Sequence, residues 1–340
     1  MRKPVPFAPV TSDSLLVRMR AALELRHMSP RTVEAYLGWV RRFVGFHGGR
    51  HPLATGAAGV EAFLSHLAST GQVSASTQNQ ALAALLFLYA SVLQQPLGSL
   101  GEVVHAHRPR RLPVVMTREE VSQLLARLAG TRRLMASLLY GSGLRVHECV
   151  ELRVKDVDLG AHQIVIRRAK GMKDLSTPLP LSLVGSLRSH LEAVRQQHRA
   201  DLAAGAGYVA LPGALGAKYP GAAREWPWQW VFPATRTYED AGSGERRRHH
   251  LHETVIQRAV HEAAVAAGIN KAVSCHTFRH SFATHLLESG YDIRTIQKLL
   301  GHGDVRTTMI YTHVLARGPF GVRSPLDGLS EAEGRPEPES

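Results

Sequence analysis

A mostly α-helical chain with one small antiparallel β-sheet, divided into two domains, is the fold class this sequence predicts. Three observations lead to it. Apolar residues recur near every 3.6 positions in most segments between capping signals. One clear departure to a period of two occurs at QIVIRRA, residues 163–169. Between two helical tracts the composition changes abruptly at HAHRPRRLP, residues 105–113, where prolines disfavour helix and basic residues suit an extended linker. The expected division is a helical domain over 12–100, a basic linker over 101–116, a second domain over 117–318, and a C-terminal segment over 319–340 that ends in a disordered tail. An unusual stretch over about 203–230 interrupts the second domain.

In the first domain, Ser29 and Pro30 supply an N-cap and a first-turn proline, and Val33, Tyr36, Leu37, Val40 and Val44 form an apolar stripe. Arg41 and Arg42 fall off that stripe, on a face open to solvent or to a phosphate backbone. A further helix covers about 60–67, and another starts at Ser74 and runs through Ala81, Leu85, Leu88 and Val92. In the linker, Arg108, Arg110 and Arg111 suit contact along a DNA backbone.

The second domain opens with Thr117 and Glu120, a capping-box pair leading a helix through Leu124 and Leu128. The next helix, about 132–140, breaks at Gly141 and Gly143, delivering Arg145 to the start of another helix, where backbone N–H groups favour anions. The strand at 163–169 is followed by a KGMKD turn and a return strand near 176–179. A lone hairpin is marginal, so it must rest on the helices. After a helix at about 183–199, residues 203–230 are rich in Ala and Gly and then aromatic, and 239–250 ends in ERRRHH. Disorder suits 238–245 and does not suit the tryptophans. Trp226, Trp228 and Trp230 ahead of a basic, His-rich run suggest stacking of unpaired bases beside a phosphate-tracking surface that includes Arg247 and Arg248. The alternative is that the tryptophans simply pack.

A formal charge of +13 over 340 residues points to a polyanionic partner, and by itself does not separate nucleic acid from membrane. No apolar run reaches the 18 or so residues of a spanning helix, and MRKPVPFAPV lacks the apolar core of a signal peptide. Two cysteines build no disulfide framework, so a cytoplasmic setting is expected.

Chemistry concentrates in SCHTFRHSFATHLLESGYDIRTIQKLLGHGDVRTTMIYTHV, residues 274–314. His276 opens a helix and Arg279 follows one turn later on nearly the same face. Gly290 ends that helix, Asp292 starts the next, and Gly301 ends that one. Asp304 then caps a helix expected over about 305–315, with Tyr311 two turns along. His302 lies in the turn between. Phosphodiester transesterification needs bidentate cations on the non-bridging oxygens, a nucleophile, and a proton donor for the leaving oxygen. Arg145 and Arg279 meet the first need. Tyr311 meets the second, and must lose its proton during attack. Lys170 can protonate the leaving 5' oxygen, with His276 and His302 assisting proton transfer or donating to developing charge. The cluster of His276, Arg279 and His280 with Cys275 raises metal ligation as an alternative, but H-E-x-x-H is lacking and Cys149 is distant in sequence.

The ordered set Arg145, Lys170, His276-x-x-Arg279, His302 and Tyr311, with LLGHGD and a tyrosine nine positions after its histidine, resembles the tyrosine recombinases and, among them, most closely the integron integrases. The resemblance runs from about residue 12 to about 329. It implies a two-domain architecture in which a core-binding domain clamps duplex DNA, giving Arg41 and Arg42 a phosphate-contact role. It places the catalytic lysine at Lys170, before Gly171, leaving Lys173 as a phosphate contact. It implies a 3'-phosphotyrosyl intermediate formed with no metal, ATP or other cofactor, and self-association as a tetramer on paired sites. Integron integrases carry an insert here that grips protruding bases of a folded single-stranded cassette site, with an aromatic matching Trp228 and a histidine pair matching His249 and His250. They often have proline where this chain has Ala241. The alternatives are a duplex-only tyrosine recombinase of Xer or phage type, a DNA-binding protein without chemistry, and a metal-dependent nuclease.

Overall fold

The computed structural model describes residues 12–98, 113–169 and 173–311. The chain divides into two compact units, 1–111 and 112–340. The first is helical: α1 (Ser12–Leu25), α2 (Pro30–Phe46), α3 (Pro52–Ser69) and α4 (Ala75–Phe87), the last extended by a π turn at Leu88–Val92. Ser29 caps α2 by accepting from the Thr32 N–H, as the Ser-Pro signal predicts. α2 buries Val33, Leu37 and Val40 of the expected stripe, and Phe43 outside it, against Leu15, Met19, Phe63, Leu64, Leu85 and Leu88 in one core, with Tyr36 and Val44 of the stripe partly buried at its edge. Arg41 and Arg42 are exposed on α2, with the Arg42 guanidinium 4.9 Å over the Trp39 ring.

In the second unit, α5 (Arg118–Ala126) starts on the full capping box: Glu120 N–H donates to Thr117 Oγ1 at 3.2 Å and Thr117 N–H to Glu120 Oε2 at 2.7 Å. Next come α6 (Gly130–Gly141) and α7 (Val146–Val150), then strands β1 (Val157–Asp158), β2 (Gln163–Ala169) and β3 (Lys173–Pro178). The expected hairpin is a three-stranded antiparallel sheet in the order β1-β2-β3, because the two residues of β1, too few to show a period, pair with Gln163 and Ile164. Ile164 and Ile166 turn inward opposite Thr177 and Leu175. The Thr177 hydroxyl donates to the Ser142 carbonyl at 2.7 Å, tying the sheet to the turn before Arg145.

Beyond α8 (Leu181–Ala203), the unusual stretch forms short α9 (Leu215–Lys218) and two 3-10 turns at Pro220–Arg224 and Trp226–Trp228. Strands β4 (Pro233–Glu239) and β5 (Arg246–His250) then make a second antiparallel hairpin. Disorder over 238–245 is therefore corrected. Asp240 organises the turn by accepting from Ser243 N–H at 3.0 Å, and Arg247 bridges Asp240 at 2.8 Å and Glu245 at 2.7 Å. Finally α10 (Glu253–Ala266), α11 (Cys275–Glu288), α12 (Ile293–Leu300) and α13 (Val305–Met309) close the unit. Phe278 of α11 joins the main core with Leu138, Leu139, Val231, Phe232 and Val260. Phe282 and Ala283 pack with Ile296, Leu300 and Tyr311 in a smaller cluster. Among the described residues no helix is long and apolar enough to cross a membrane.

Candidate active site

The two arginines are set by helix ends. After α6, Gly143 takes a positive φ of +64°, a conformation that disfavours side chains, and the chain enters α7 with Arg145 in extended geometry at its N-cap. Arginine offers no acceptor, so this cap is made by Glu148 three residues on. Its carboxylate accepts from Arg145 N–H at 2.7 Å and from Arg145 Nη1 at 2.5 Å. Arg279, in the second turn of α11, is only 3 % exposed. A guanidinium so buried needs every donor matched. Nη1 donates to the Gly143 carbonyl at 2.6 Å and Nη2 to the Leu300 carbonyl, while Glu148 Oε2 lies 3.8 Å from Nη1. Burial and the Arg145 charge lower the Arg279 pKa to about 10, which still leaves it cationic at neutral pH.

Leu300 is the last residue of α12, and its carbonyl is one of those a helix C-terminus leaves without an intrahelical partner. Arg145 Nη2 also reaches it, at 3.4 Å. One helix end thus orients both cations, and the dipole favours them there. Gly301 then reverses the chain in the left-handed region, φ +58°, with His302 immediately after it. His302 Nε2 faces Arg279 Nη2 at 3.4 Å and Nδ1 lies 3.0 Å from Thr308 Oγ1. If Nε2 accepts from the guanidinium, Nδ1 carries the proton and donates to the threonine.

Tyr311 lies close by, its ring nearly parallel to that of His302 at 17° and 6.4 Å. The helix expected over 305–315 ends at Met309 among the described residues. Tyr311 sits in the following turn, its N–H donating to Thr308 carbonyl at 3.1 Å, where the Thr308 side chain is already held by His302. Tyr311 is 2 % exposed. Burial raises its pKa while Arg279 and Arg145 oppose the rise. Its hydroxyl meets His280 Nδ1 at 3.1 Å. His276 is exposed in the first turn of α11, its pKa lowered by partial desolvation and by Arg279 and Arg145. Sequence reasoning placed Arg145, Arg279, His302 and Tyr311 together, and the structure brings them together. It passed over Glu148, whose spacing from Arg145 is a helix-capping signal, and considered His280 only as a metal ligand. Lys170 lies outside the described residues, as do Arg108, Arg110 and Arg111. Lys173 opens β3, paired with Ala169.

A cleft of about 860 Å³ runs from Arg145, Glu148 and His276 to Arg153, Lys155 and Trp228. The three tryptophans of the insert separate by role. Trp230 is buried, its indole N–H donating to the Arg248 carbonyl at 3.1 Å and its face covered by Arg153 at 3.9 Å. Trp226 packs on α8 beside His198 and Arg195. Trp228 remains half-buried in the cleft, with Lys155 Nζ 4.5 Å from its ring centre and Arg153 at 5.7 Å. His249 is exposed and His250 half-buried, 6.1 and 5.1 Å from the Trp230 ring. Burial lowers the His250 pKa.

The Arg248 expectation is corrected. Its guanidinium is buried, taken bidentately by Asp201 at 2.6 and 2.7 Å and by the Ala234 carbonyl at 2.7 Å, so its charge is paired inside the fold and not presented to a phosphate on the surface. Arg247 is likewise engaged by Asp240 and Glu245, though only half-buried. Cys149 and Cys275 are buried thiols, with burial pushing Cys275 up to about 11. Among the described residues no group of three or more His, Cys, Asp or Glu is arranged to hold a metal ion.

Comparison with known proteins is consistent across both units. Residues 114–317 match the phage integrase family, and residues 15–99 match the phage integrase N-terminal SAM-like domain. An integrase/recombinase of Escherichia coli is 52% identical over 324 residues, covering 95% of this chain and 96% of the relative. The tyrosine recombinase XerA of Thermococcus kodakarensis is 34% identical over 311 residues, 89% and 91% of the two chains. Among solved structures, XerH bound to a palindromic difH substrate in a post-cleavage complex aligns with a TM-score of 0.60 at 17% identity, covering 98% of this chain and 99% of that one. A lambda integrase dimer on a COC' core site aligns at 0.59 and 16%, covering 90% and 96%. These two structural likenesses bear on the fold.

Proposed function

We propose a function that proceeds from one premise: this chain belongs to the phage integrase family, the tyrosine recombinases. Its reaction is site-specific cutting and rejoining of DNA, with duplex DNA lying across the exposed Arg41 and Arg42 face of the helical unit and paired sites held by a tetramer, in the cytoplasm. Arg145 and Arg279 hold the scissile phosphate. The Tyr311 oxygen attacks phosphorus, the bond to the 5' oxygen breaks, and Lys170 gives that oxygen a proton. The phenolic proton passes to His276, which its lowered pKa keeps neutral and able to accept. A 3'-phosphotyrosyl link results, and a second strand's 5' hydroxyl reverses the step. The two arginines, Arg279 buried and Arg145 partly exposed, supply the electrostatic stabilisation that a metal gives elsewhere, and the covalent bond conserves the energy of the one broken.

The substrate reading is of integron type, exchanging gene cassettes at folded single-stranded as well as duplex sites. What supports it is Trp228, half-open in the same cleft as Arg145 and His276 and flanked by two cations. An unpaired base stacking on it lies beside groups suited to its phosphates. His249 and His250, on β5 next to Trp230, bound the same insert. Base-aromatic stacking is worth about 1–3 kcal/mol per base, so Trp228→Ala should weaken binding of a folded single-stranded cassette site about 5- to 150-fold. A matched duplex without protruding bases should change little. Titrations on both DNAs, with a thermal melt of the variant, test this. Parallel losses with destabilisation contradict it. The second reading, a duplex-only recombinase, draws on the 34% identity to XerA; recombination of the duplex site alone, unaffected by replacing Trp228, favours it.

A further inference from the structure

The contact between Tyr311 and His280 is one that the transfer scheme leaves without a role. The tyrosine is almost wholly buried, although a nucleophile must meet a phosphate held by Arg145, itself partly exposed. Its hydroxyl ends on His280 Nδ1 at 3.1 Å, and the rings sit 5.6 Å apart. His280 follows Arg279 directly on α11, so the group holding the phenol and the buried phosphate cation share one rigid helix.

We propose that His280 is a positioning residue that stores the Tyr311 hydroxyl, through an Nδ1 acceptor bond, in a buried resting pose from which bound DNA must draw it. This rests on the reading of Tyr311 as the nucleophile. The bond runs from phenol to imidazole, because a neutral imidazole accepts at one nitrogen and the phenol is protonated. Burial, with His276 and Arg279, lowers the His280 pKa to about 4, so the acceptor form prevails at neutral pH. The same depression makes His280 a poor base toward a phenol whose own pKa is raised, which leaves holding rather than proton abstraction as its part. Storage keeps the nucleophile from water and stray electrophiles until a phosphate occupies the two arginines.

Two substitutions separate the hydrogen bond from packing. His280→Leu fills the space and removes the acceptor; His280→Asn leaves a gap and retains an acceptor at the Nδ1 position. DNA-free protein is iodinated and each tyrosine followed by peptide mass spectrometry. Tyr140, whose hydroxyl meets His285 Nδ1 at 2.8 Å in the same unit, is the internal control. The expected result is Tyr311 modified roughly 2- to 13-fold faster in His280→Leu, the range for one net hydrogen bond, with His280→Asn close to wild type and Tyr140 unchanged. Acceleration in Asn rather than Leu, in neither, or equally at Tyr140 overturns the proposal. A separate gel on wild type with a nicked duplex site keeps the two questions apart: lack of a covalent adduct at Tyr311 removes the nucleophile reading itself, whereas an adduct with unaltered iodination removes only the role of His280.

Discussion

Replacing Gly143 with alanine probes the turn that places both arginines. At φ +64° an alanine pays about 1–2 kcal/mol for the left-handed conformation. Its methyl carbon would also lie 2.4 Å from the Phe282 ring, where a real carbon essentially never sits, so Phe282 must move. Overpacking of this kind costs about 1–3 kcal/mol. Together the loss is about 2–5 kcal/mol, which for a unit of this size lowers the melting temperature by about 4–20 °C. The chemistry should fall too, because the Gly143 carbonyl accepts from Arg279 Nη1 and Phe282 lies three residues past Arg279 on α11. Calorimetry and single-turnover cleavage of a nicked duplex site measure the two effects. Gly185→Ala is the control: Gly185 is inside α8 with open space at its Cβ position, and the change should stabilise by about 0.5–1 kcal/mol. A Gly143→Ala protein that melts and cleaves like wild type would refute the reasoning.

Other outcomes follow from the same geometry. Arg248→Ala strands Asp201 without its cation and should destabilise by about 3–5 kcal/mol in a thermal melt. It should leave the salt dependence of DNA binding unchanged, whereas Arg41→Ala with Arg42→Ala should flatten that dependence. The depressed pKa of His280 sets a pH window: the unfolded chain takes up this proton near pH 6.5 and the folded one only near about 4. Stability is therefore intact above 6.5 and lost as pH falls toward about 4, by up to about 3 kcal/mol from this group, and His280→Leu should reduce the slope measured by denaturant titration.

Legibility in the sequence followed how local each signal was. Caps at Ser29, Thr117, Asp292 and Asp304 and the glycine breaks at 143 and 301 act within a turn of chain, and each was readable. The convergence of Arg145, Arg279, His302 and Tyr311 was readable because helix starts and ends fix where those side chains emerge. Strand β1 was not, since two residues carry no period, and β4 with β5 hid behind turn-forming residues that an Asp240 turn and the Arg247 ion pairs order. Arg248 reads as a surface cation in ERRRHH, and only the fold brings Asp201 of α8 to it from 47 positions away. The three tryptophans look alike in sequence, and their separation into one buried, one packed on α8 and one open depends on Arg153 and the β5 strand.

The central claim, that Tyr311 carries the transferred strand without a metal, is tested most directly by identifying the protein–DNA linkage. Wild type is incubated with a nicked duplex site in EDTA, the adduct is resolved on a denaturing gel, and the crosslinked peptide is sequenced by mass spectrometry. The account predicts a 3'-phosphoryl oligonucleotide on Tyr311, none with Tyr311→Phe despite retained DNA binding, and losses of orders of magnitude with Arg145→Ala or Arg279→Ala. An undiminished adduct in Tyr311→Phe, or cleavage abolished by EDTA and restored by one divalent ion, would contradict it.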